Sequence, residues 1–140
     1  MRIVVITSCT GEKSVEVDNA LTLEDFEKGE DHVRAREAEL SNFLTRAETL
    51  YTGQQHVRLM RGVEAFRSQD SNEPTLDLEI LSAGYGLVNS ENLLAPYEAT
   101  FQGMRARQLR KWADTLKIPH AVRSSLADPY DLALILLGDG

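Results

Sequence analysis

Apolar residues along the chain fall into three short continuous runs and several longer periodic segments. The runs are Arg2 to Thr7, Leu76 to Leu81 and Asp131 to Leu137. Each has the length of a strand and few polar positions, which is typical of strands covered on both faces in a parallel sheet. Because helical segments separate the three runs, we predict an α/β fold, a three-layer α/β/α sandwich with a mainly parallel sheet.

The helices are predicted from apolar residues spaced three and four positions apart. This spacing occurs over Glu30 to Tyr51, Gln54 to Phe66 and Gln102 to Leu116, with charged residues on the remaining positions. Gly53 is expected to end the first of these helices, and Pro119 to stop the third.

The segments between these elements are predicted as connections. Val15 to Gly29 is acidic and lacks a long period, so we expect a surface excursion with one turn near Leu23 to Phe26. Polar and turn-forming residues predict loops over Ser68 to Thr75 and over His120 to Tyr130.

Composition places the 140 residues in one soluble domain, because 42% of them are hydrophobic and 26% charged. No internal repeat or composition shift indicates a second domain. The sequence stops at Gly138-Asp139-Gly140, directly after a predicted strand, where a helix usually follows in this class. Two interpretations remain open: a minimal domain, or a chain truncated at its C-terminus.

Net charge and cysteine content restrict the class of protein and its cellular location. A net charge of −7 argues against a protein that coats nucleic acid, although it leaves a local basic face open. The single cysteine, Cys9, excludes an internal disulfide and suits a reducing cytosol. No signal peptide or bilayer-spanning run occurs, so we expect a cytoplasmic protein without a membrane partner. Nothing in the sequence indicates an oligomeric state.

Three loops with functional potential follow the three predicted strands. They are Ser8 to Ser14, Ser82 to Leu87 and Gly138 to Gly140. Ligands of open parallel sheets bind at the carboxyl ends of the strands, so these loops are expected to meet around one pocket. The first loop lacks the leading glycine of a P-loop, yet its hydroxyls, its backbone N–H groups and one lysine suit an anion or a polar ligand.

The candidate site residues come from these loops and from two neighbouring motifs. Tyr85 and Tyr97 offer apolar faces for stacking, and Gly84 and Gly86 permit close approach of a ligand. The expected ligand-binding residues are Ser8, Thr10, Lys13, Tyr51, Gly84, Tyr85 and Gly86. The candidate catalytic residues are Cys9, Ser82 and Tyr97. Cys9 is a candidate nucleophile, and the alternative role is that of a small buried apolar side chain.

Metal and cofactor chemistry are not predicted. His32, His56 and His120 have no metal-binding spacing, and we expect no cofactor. The Arg58 and Arg61 pair and the basic residues from Arg105 to Lys111 either bind phosphates or are solvated outer faces of helices.

These motifs resemble those of a family of small uncharacterised bacterial and phage proteins. The matching residues are Ser8-Cys9 after a strand, Lys13, Ala47 to Gly53 (AETLYTG), Ile80 to Val88 (ILSAGYGLV) and Ala95 to Thr100 (APYEAT). Family members typically carry a Lys where this chain has Gly84, so a role for that Lys does not transfer. The layout is more distantly similar to uracil-DNA-glycosylase-like domains and to the peroxide-stress protein family. This resemblance implies nucleobases or nucleotides as ligands.

Three functions are compatible with these observations. The first is an enzyme that processes a nucleoside, nucleotide or nucleobase, as an N-glycosidase-like hydrolase or transferase or at a phosphate. The second is a non-catalytic nucleotide-sensing module with the same pocket. The third is a nucleic-acid-binding accessory module that uses the arginine faces.

Overall fold

A computed structural model describes residues 1–70 and 74–138 of the chain. Strands and helices follow one another along these ranges, from one long strand near the N-terminus to another near the C-terminus. In chain order they are β1 (Arg2–Ser8), β2 (Leu21–Thr22), α1 (Leu23–Glu27), α2 (Glu30–Glu39), a 3₁₀ helix (Ser41–Phe43), β3 (Thr45–Arg46), α3 (Ala47–Leu50), α4 (Gln54–Arg67), β4 (Thr75–Ser82), β5 (Gly86–Asn89), β6 (Leu93–Leu94), β7 (Tyr97–Glu98), α5 (Ala106–Thr115), α6 (Ile118–Leu126) and β8 (Leu132–Leu136).

The main sheet has four strands in the order β5-β4-β1-β8. β1 pairs in parallel with β4 on one side and with β8 on the other, so the three apolar runs are parallel neighbours, as predicted. β5 pairs antiparallel with β4, which makes the sheet mixed. The α/β class of the prediction is confirmed in this form.

Side chains on the two faces of β4 meet different elements, because successive residues of a strand point to opposite faces. Leu78 packs with Val5 of β1 and Val63 of α4 in one apolar cluster. On the other face, the carboxylate of Glu79 accepts a hydrogen bond from the Ser125 hydroxyl of α6 at 2.7 Å. α4 and α6 therefore lie on opposite faces of this strand.

A larger apolar cluster lies beside the sheet and contains most of the aromatic side chains. Two short strand pairs hold its chain segments together: β2 pairs in parallel with β7, and β3 pairs antiparallel with β6. Tyr51 and Tyr97 are 2% and 1% exposed there. Trp112 of α5 closes the cluster and donates its indole N–H to the Ala83 carbonyl at 2.7 Å.

The predicted helix from Glu30 to Tyr51 is wrong as a single element. The helix ends after Glu39, and a 3₁₀ turn, strand β3 and the short helix α3 replace its second half. Ser41 and Asn42 favour turns over helix interiors, and Thr45 pairs with Leu94 of β6. The pairing of β3 with β6 therefore determines the structure here, although the spacing of the apolar residues is also compatible with a helix.

Two further predictions need correction around the third helical segment. α5 begins at Ala106 rather than Gln102, and the predicted loop over His120 to Tyr130 contains most of α6. Lys117 adopts the left-handed conformation, with φ 57°, and separates the two helices. Pro119 then falls in the first turn of α6, where its missing N–H costs nothing, so it helps to start a helix.

The remaining connections follow the sequence more closely. Leu23 to Phe26 does form a helical turn within an irregular segment, as α1. Gly53 precedes α4 as its N-cap residue. In the loop over Ser68 to Thr75, positions 71–73 lie outside the described residues, as do positions 139 and 140 of the predicted C-terminal loop.

β8 forms one edge of the sheet and carries exposed apolar side chains along its whole length. Leu132, Leu134 and Ile135 are 40%, 41% and 55% exposed. No helix among the described residues has the length and apolar character needed to cross a membrane.

Candidate functional site: a cavity at the carboxyl edge of the sheet

A cavity of about 620 Å³ opens where β1, β4 and β8 end. Ser8 is the last residue of β1 and Cys9 follows it, Leu81 is near the end of β4, and Gly138 follows β8. All four residues line the cavity. The Ser8 hydroxyl accepts a hydrogen bond from the Gly138 N–H at 3.2 Å, which ties the ends of β1 and β8 together. The cavity thus occupies the edge at which parallel strands present ligand sites.

Hydroxyl and amide side chains form the polar part of the lining. The hydroxyls belong to Ser8, Thr10 and Thr100, and the amides to Gln54, Gln55 and Gln102. Gln54 and Gln55 begin α4, whose start is fixed by Thr10: its hydroxyl accepts the Gly53 N–H at 3.1 Å. A Cβ on Gly53 would lie 2.5 Å from the Cβ of Thr10, so glycine permits this contact.

The apolar part of the lining comes mainly from the segment before α5 and from α5 and α6. Its side chains are Leu81, Phe101, Met104, Leu109, Ala113, Ile118 and Leu137. Phe101 and Met104 are partly buried and also pack against the large apolar cluster. Phe101 is therefore an aromatic ring held at the cavity wall by the core behind it.

No charged side chain occurs among the described residues that line the cavity. Polar atoms of the lining thus come from neutral groups and from the backbone. From these described residues, a bound molecule would meet hydrogen-bonding groups with no full charge.

Cys9 lies between the cavity and the large apolar cluster. It lines the cavity and is packed against that cluster, and it is half-buried. Its backbone N–H donates to the Leu81 carbonyl at 2.9 Å, which fixes the residue beside β4. The placement suits a nucleophile facing a ligand, and the catalytic role stays a prediction.

Ser82 and Tyr97, the other two candidate catalytic residues, lie in a buried hydroxyl network away from the cavity lining. The Tyr97 hydroxyl is 2.6 Å from that of Tyr51 and 2.7 Å from the Ser82 hydroxyl. Ser82 Oγ also accepts the backbone N–H groups of Gly84 and Tyr85 at 3.2 and 3.0 Å. With Ser82 fully buried and Tyr97 1% exposed, these groups hold the turn after β4 and leave no surface for stacking.

Burial also determines the charge state of these tyrosines. It raises the pKa of Tyr51, Tyr85 and Tyr97 above the usual value, because ionised oxygens would lose their solvation inside the apolar cluster. The phenols are therefore neutral over the physiological range, and the network consists of uncharged donors and acceptors.

The Gly84 to Gly86 segment forms a hairpin turn between β4 and β5 and does not line the cavity. A Cβ on Gly84 would lie 2.5 Å from the Phe26 ring, so its small size serves packing. Gly86 has φ +79° at the start of β5, a conformation that glycine adopts without strain. The Tyr85 hydroxyl accepts the Ala95 N–H at 3.1 Å, and its ring packs edge-on against Phe26. These three predicted ligand-binding residues therefore organise the turn.

Tyr51 lies beside Lys13, a residue of the first loop. Their backbones form an antiparallel bridge, and the Lys13 ammonium is 4.4 Å from the centre of the Tyr97 ring. It also donates to the Gly11 carbonyl at 3.2 Å. Burial lowers the pKa of Lys13, while the nearby Cys9 and Glu98 partly offset this effect. Neither Lys13 nor Tyr51 lines the cavity.

Other candidate groups lie elsewhere on the surface. Arg58 and Arg61 and the basic residues from Arg105 to Lys111 are exposed. A second concavity of about 480 Å³ carries the carboxylates of Glu16, Asp18 and Glu98. Among the described residues, no group of three or more His, Cys, Asp or Glu side chains could hold a metal ion.

Residues 38–138 match the model of a family of unknown function, DUF6884. The chain therefore belongs to the DUF6884 family. The matched region contains the Tyr51, Ser82 and Tyr97 network, the glutamines and Phe101, and it leaves out β1 with Ser8, Cys9 and Thr10. No curated protein and no solved structure matches the chain.

Sequence reasoning missed the glutamines and Phe101 as cavity residues. Gln54 and Gln55 begin a helix that packs on the sheet, and Phe101 directly follows the APYEAT motif. The signal that could identify them is position: each lies within three residues of a motif that the resemblance had already marked. The residue types of the glutamines and of Phe101 do not by themselves indicate a position in the cavity.

Proposed function

We propose that the protein binds a nucleotide- or nucleobase-sized ligand in the cavity at the carboxyl edge of the sheet. The observation that carries this proposal is that one cavity has both the volume and the lining groups of a small-molecule site. The cavity has about 620 Å³, within the roughly 300–1,000 Å³ usual for small-molecule sites. Its lining joins an aromatic ring, amides and hydroxyls, the groups that bind flat heterocycles and sugar oxygens.

Phe101 takes the stacking role that the sequence had suggested for Tyr85 or Tyr97. Phe101 lines the cavity, and it is partly buried against the large apolar cluster. Stacking of a base on an aromatic side chain is worth roughly 1–3 kcal/mol. The amides of Gln54 and Gln55 would then bind the edge of the base, while Ser8 and Thr10 would bind sugar oxygens.

The proposed reaction is N-glycosidase-like processing of the bound nucleoside or nucleotide. Cys9 is the candidate nucleophile because it is the cysteine among the residues that line the cavity. Attack of its thiolate on the anomeric carbon would form a carbon–sulfur bond and break the N-glycosidic bond, and the departing base would take a proton from water. Attack of water on the same carbon would then break the carbon–sulfur bond, release the sugar and regenerate the thiol.

A non-catalytic sensing module is the alternative, and one observation favours it. No carboxylate or imidazole occurs among the described residues of the lining. Glycosidic bond cleavage usually depends on such groups as general acids and bases. Recognition of the ligand without turnover fits this lining without any further group.

The architecture and the distant resemblance support the same ligand class. We propose that the sheet is the middle layer of a three-layer α/β/α sandwich, since α4 and α6 contact opposite faces of β4. The similarity to uracil-DNA-glycosylase-like domains adds support by analogy. Nucleic-acid binding through the exposed arginines is a weaker alternative, because the chain has a net charge of −7.

Calorimetric titration with nucleobases, nucleosides and nucleotides tests the binding proposal. At least one of them should bind, and Phe101→Leu, which keeps an apolar side chain but removes the ring, should weaken binding about 5- to 100-fold. Phe43→Leu is the matched control, since Phe43 is 41% exposed and lies outside the cavity. Absence of binding by any probe to the folded protein would exclude the proposal.

Release of free base from nucleosides, followed by chromatography, separates enzyme from sensor. An enzyme should lose turnover in Cys9→Ser while retaining ligand affinity. Binding without turnover in the wild type would support the sensor.

A further inference from the structure

No charged side chain occurs among the described lining residues. This affects which part of a nucleotide the cavity can bind. We infer that the cavity selects the uncharged part of its ligand, a free nucleobase or a nucleoside, over a 5′-phosphorylated nucleotide. This inference rests on the proposed function and narrows its ligand class. The observation behind it is the absence of any charged side chain among the described lining residues.

A phosphate inside this cavity would lack the partner that phosphate sites normally supply. Proteins bind phosphate groups with charge-assisted hydrogen bonds from Arg or Lys. Lys13 is two residues from the lining residue Gly11, and its ammonium donates to the Gly11 carbonyl and lies over the Tyr97 ring. Arg105 and Lys117 directly neighbour the lining residues Met104 and Ile118 in sequence, and neither of them lines the cavity. Removing a phosphate from water without a cation carries a large desolvation cost.

The start of α4 is an electropositive feature of the lining. A helix N-terminus carries about half an elementary charge, whereas a phosphate monoester carries about −1.5 to −2 at neutral pH. The Thr10 hydroxyl already accepts the Gly53 N–H at this end. The helix start can therefore favour a carbonyl or hydroxyl oxygen, and it falls well short of balancing a phosphate.

Three amides are available for the edge of a base. The side chains of Gln54, Gln55 and Gln102 line the cavity and make no hydrogen bond to another described residue. A glutamine amide offers a donor beside an acceptor, which matches the adjacent donor and acceptor of a nucleobase edge. The available polar groups thus complement an uncharged heterocycle.

Paired titrations test the selection directly. Adenosine, guanosine, uridine and cytidine are each compared with their 5′-monophosphates, with inorganic phosphate as a separate probe. For the best binder, the nucleoside should bind at least as tightly as its monophosphate, and inorganic phosphate should not bind. Raising salt from about 50 to about 200 mM should change the nucleoside Kd less than about twofold, because no ion pair forms.

Substitution of the glutamines supplies the second readout. Gln55→Leu should weaken nucleoside binding about 5- to 100-fold, the range of one good bidentate contact. Gln108→Leu is the matched control on α5, since Gln108 is exposed and outside the cavity. Circular dichroism and the unfolding midpoint establish that both variants are folded.

The outcomes separate this inference from the proposed function. A monophosphate that binds about tenfold or more tightly than its nucleoside would overturn the inference and leave the proposed function standing. Equal affinities of the wild type and Gln55→Leu for the nucleoside would show that the Gln55 amide does not contact the base. Failure of all nucleosides and nucleotides to bind would remove both.

Discussion

The hydroxyl oxygens of Tyr51 and Tyr97 lie 2.6 Å apart in the protein interior, and the Tyr97 oxygen is 2.7 Å from the Ser82 hydroxyl. Tyr97 thus joins the end of α3 to the end of β4. A buried hydroxyl that loses its partner retains the cost of desolvation without the compensating bond. Tyr51, Ser82 and Tyr97 therefore stabilise the turn beside the cavity.

Tyr97→Phe removes the bridging oxygen and keeps the ring. We expect the free energy of unfolding to fall by about 1–3 kcal/mol, because Tyr51 and Ser82 each lose a partner. Urea unfolding followed by the fluorescence of Trp112, the single tryptophan, measures the change. Ser124→Ala, at an exposed helix position, should alter stability by less than about 0.5 kcal/mol. A Tyr97→Phe variant as stable as this control would refute the bridging role.

Gly84→Ala tests whether the missing side chain at this position serves packing. The new Cβ would lie 2.5 Å from the Phe26 ring, and that ring is confined by edge-on contacts with Tyr85 and Tyr97. We expect a loss of about 1–3 kcal/mol from overpacking. Gly62→Ala in α4 meets no atom within 4 Å, and it should gain roughly 0.5–1 kcal/mol. Opposite signs in urea unfolding are the expected result, and equal signs would contradict it.

Asp25 makes the free energy of unfolding depend on pH in the acid range. Hydrogen bonds from His32 and from the Thr22 backbone N–H lower the pKa of Asp25 from 3.8 to about 2. Its contribution is therefore complete above pH 4 and is lost as the pH falls from about 4 to about 2. In Asp25→Asn, urea unfolding should show less stability at neutral pH and a shallower decline over that acid range. Asp114→Asn, at an exposed position, should keep the wild-type slope.

The tyrosines should also resist ionisation at alkaline pH. Burial raises the pKa of three of the four, and burial and Asp77 raise that of Tyr130 to about 12. Because the unfolded state ionises first, stability should fall as the pH rises above about 10. Absorbance of the phenolate should show no tyrosine titrating near pH 10 in the folded protein and all four near that value in urea. A full native titration near pH 10 would refute the buried placement.

Sequence patterns predicted the parallel core of the sheet well and its surroundings poorly. Arg2 to Thr7 and its two partners are recognisable because strands buried on both faces are continuously apolar. β5 escaped prediction because the Gly84 to Gly86 turn also suits a ligand loop. The two-residue strands β3 and β6 depend on each other across 47 positions, from Arg46 to Leu93, which no local pattern records.

The candidate site was predicted in its location and only partly in its members. Ser8, Cys9 and Thr10 do line the cavity, because the end of a central parallel strand fixes their position. Tyr85 and Tyr97 carry the same residue type that a stacking platform requires, yet their rings pack in the core. Sequence shows which side chain is present, whereas the direction of the side chain follows from the β4–β5 hairpin and the β2–β7 pair.

The order of strands in the sheet differs from the order in which a ribosome makes them. β1 is synthesised first and occupies the middle, yet Ile3 pairs with Leu76 and with Leu132, which emerge much later. Until then Val4, Val5 and Ile6 have neither neighbour, and contacts this distant in sequence form slowly. The nascent chain thus carries an unpaired apolar strand until β4 emerges, and such strands associate wrongly or recruit chaperones.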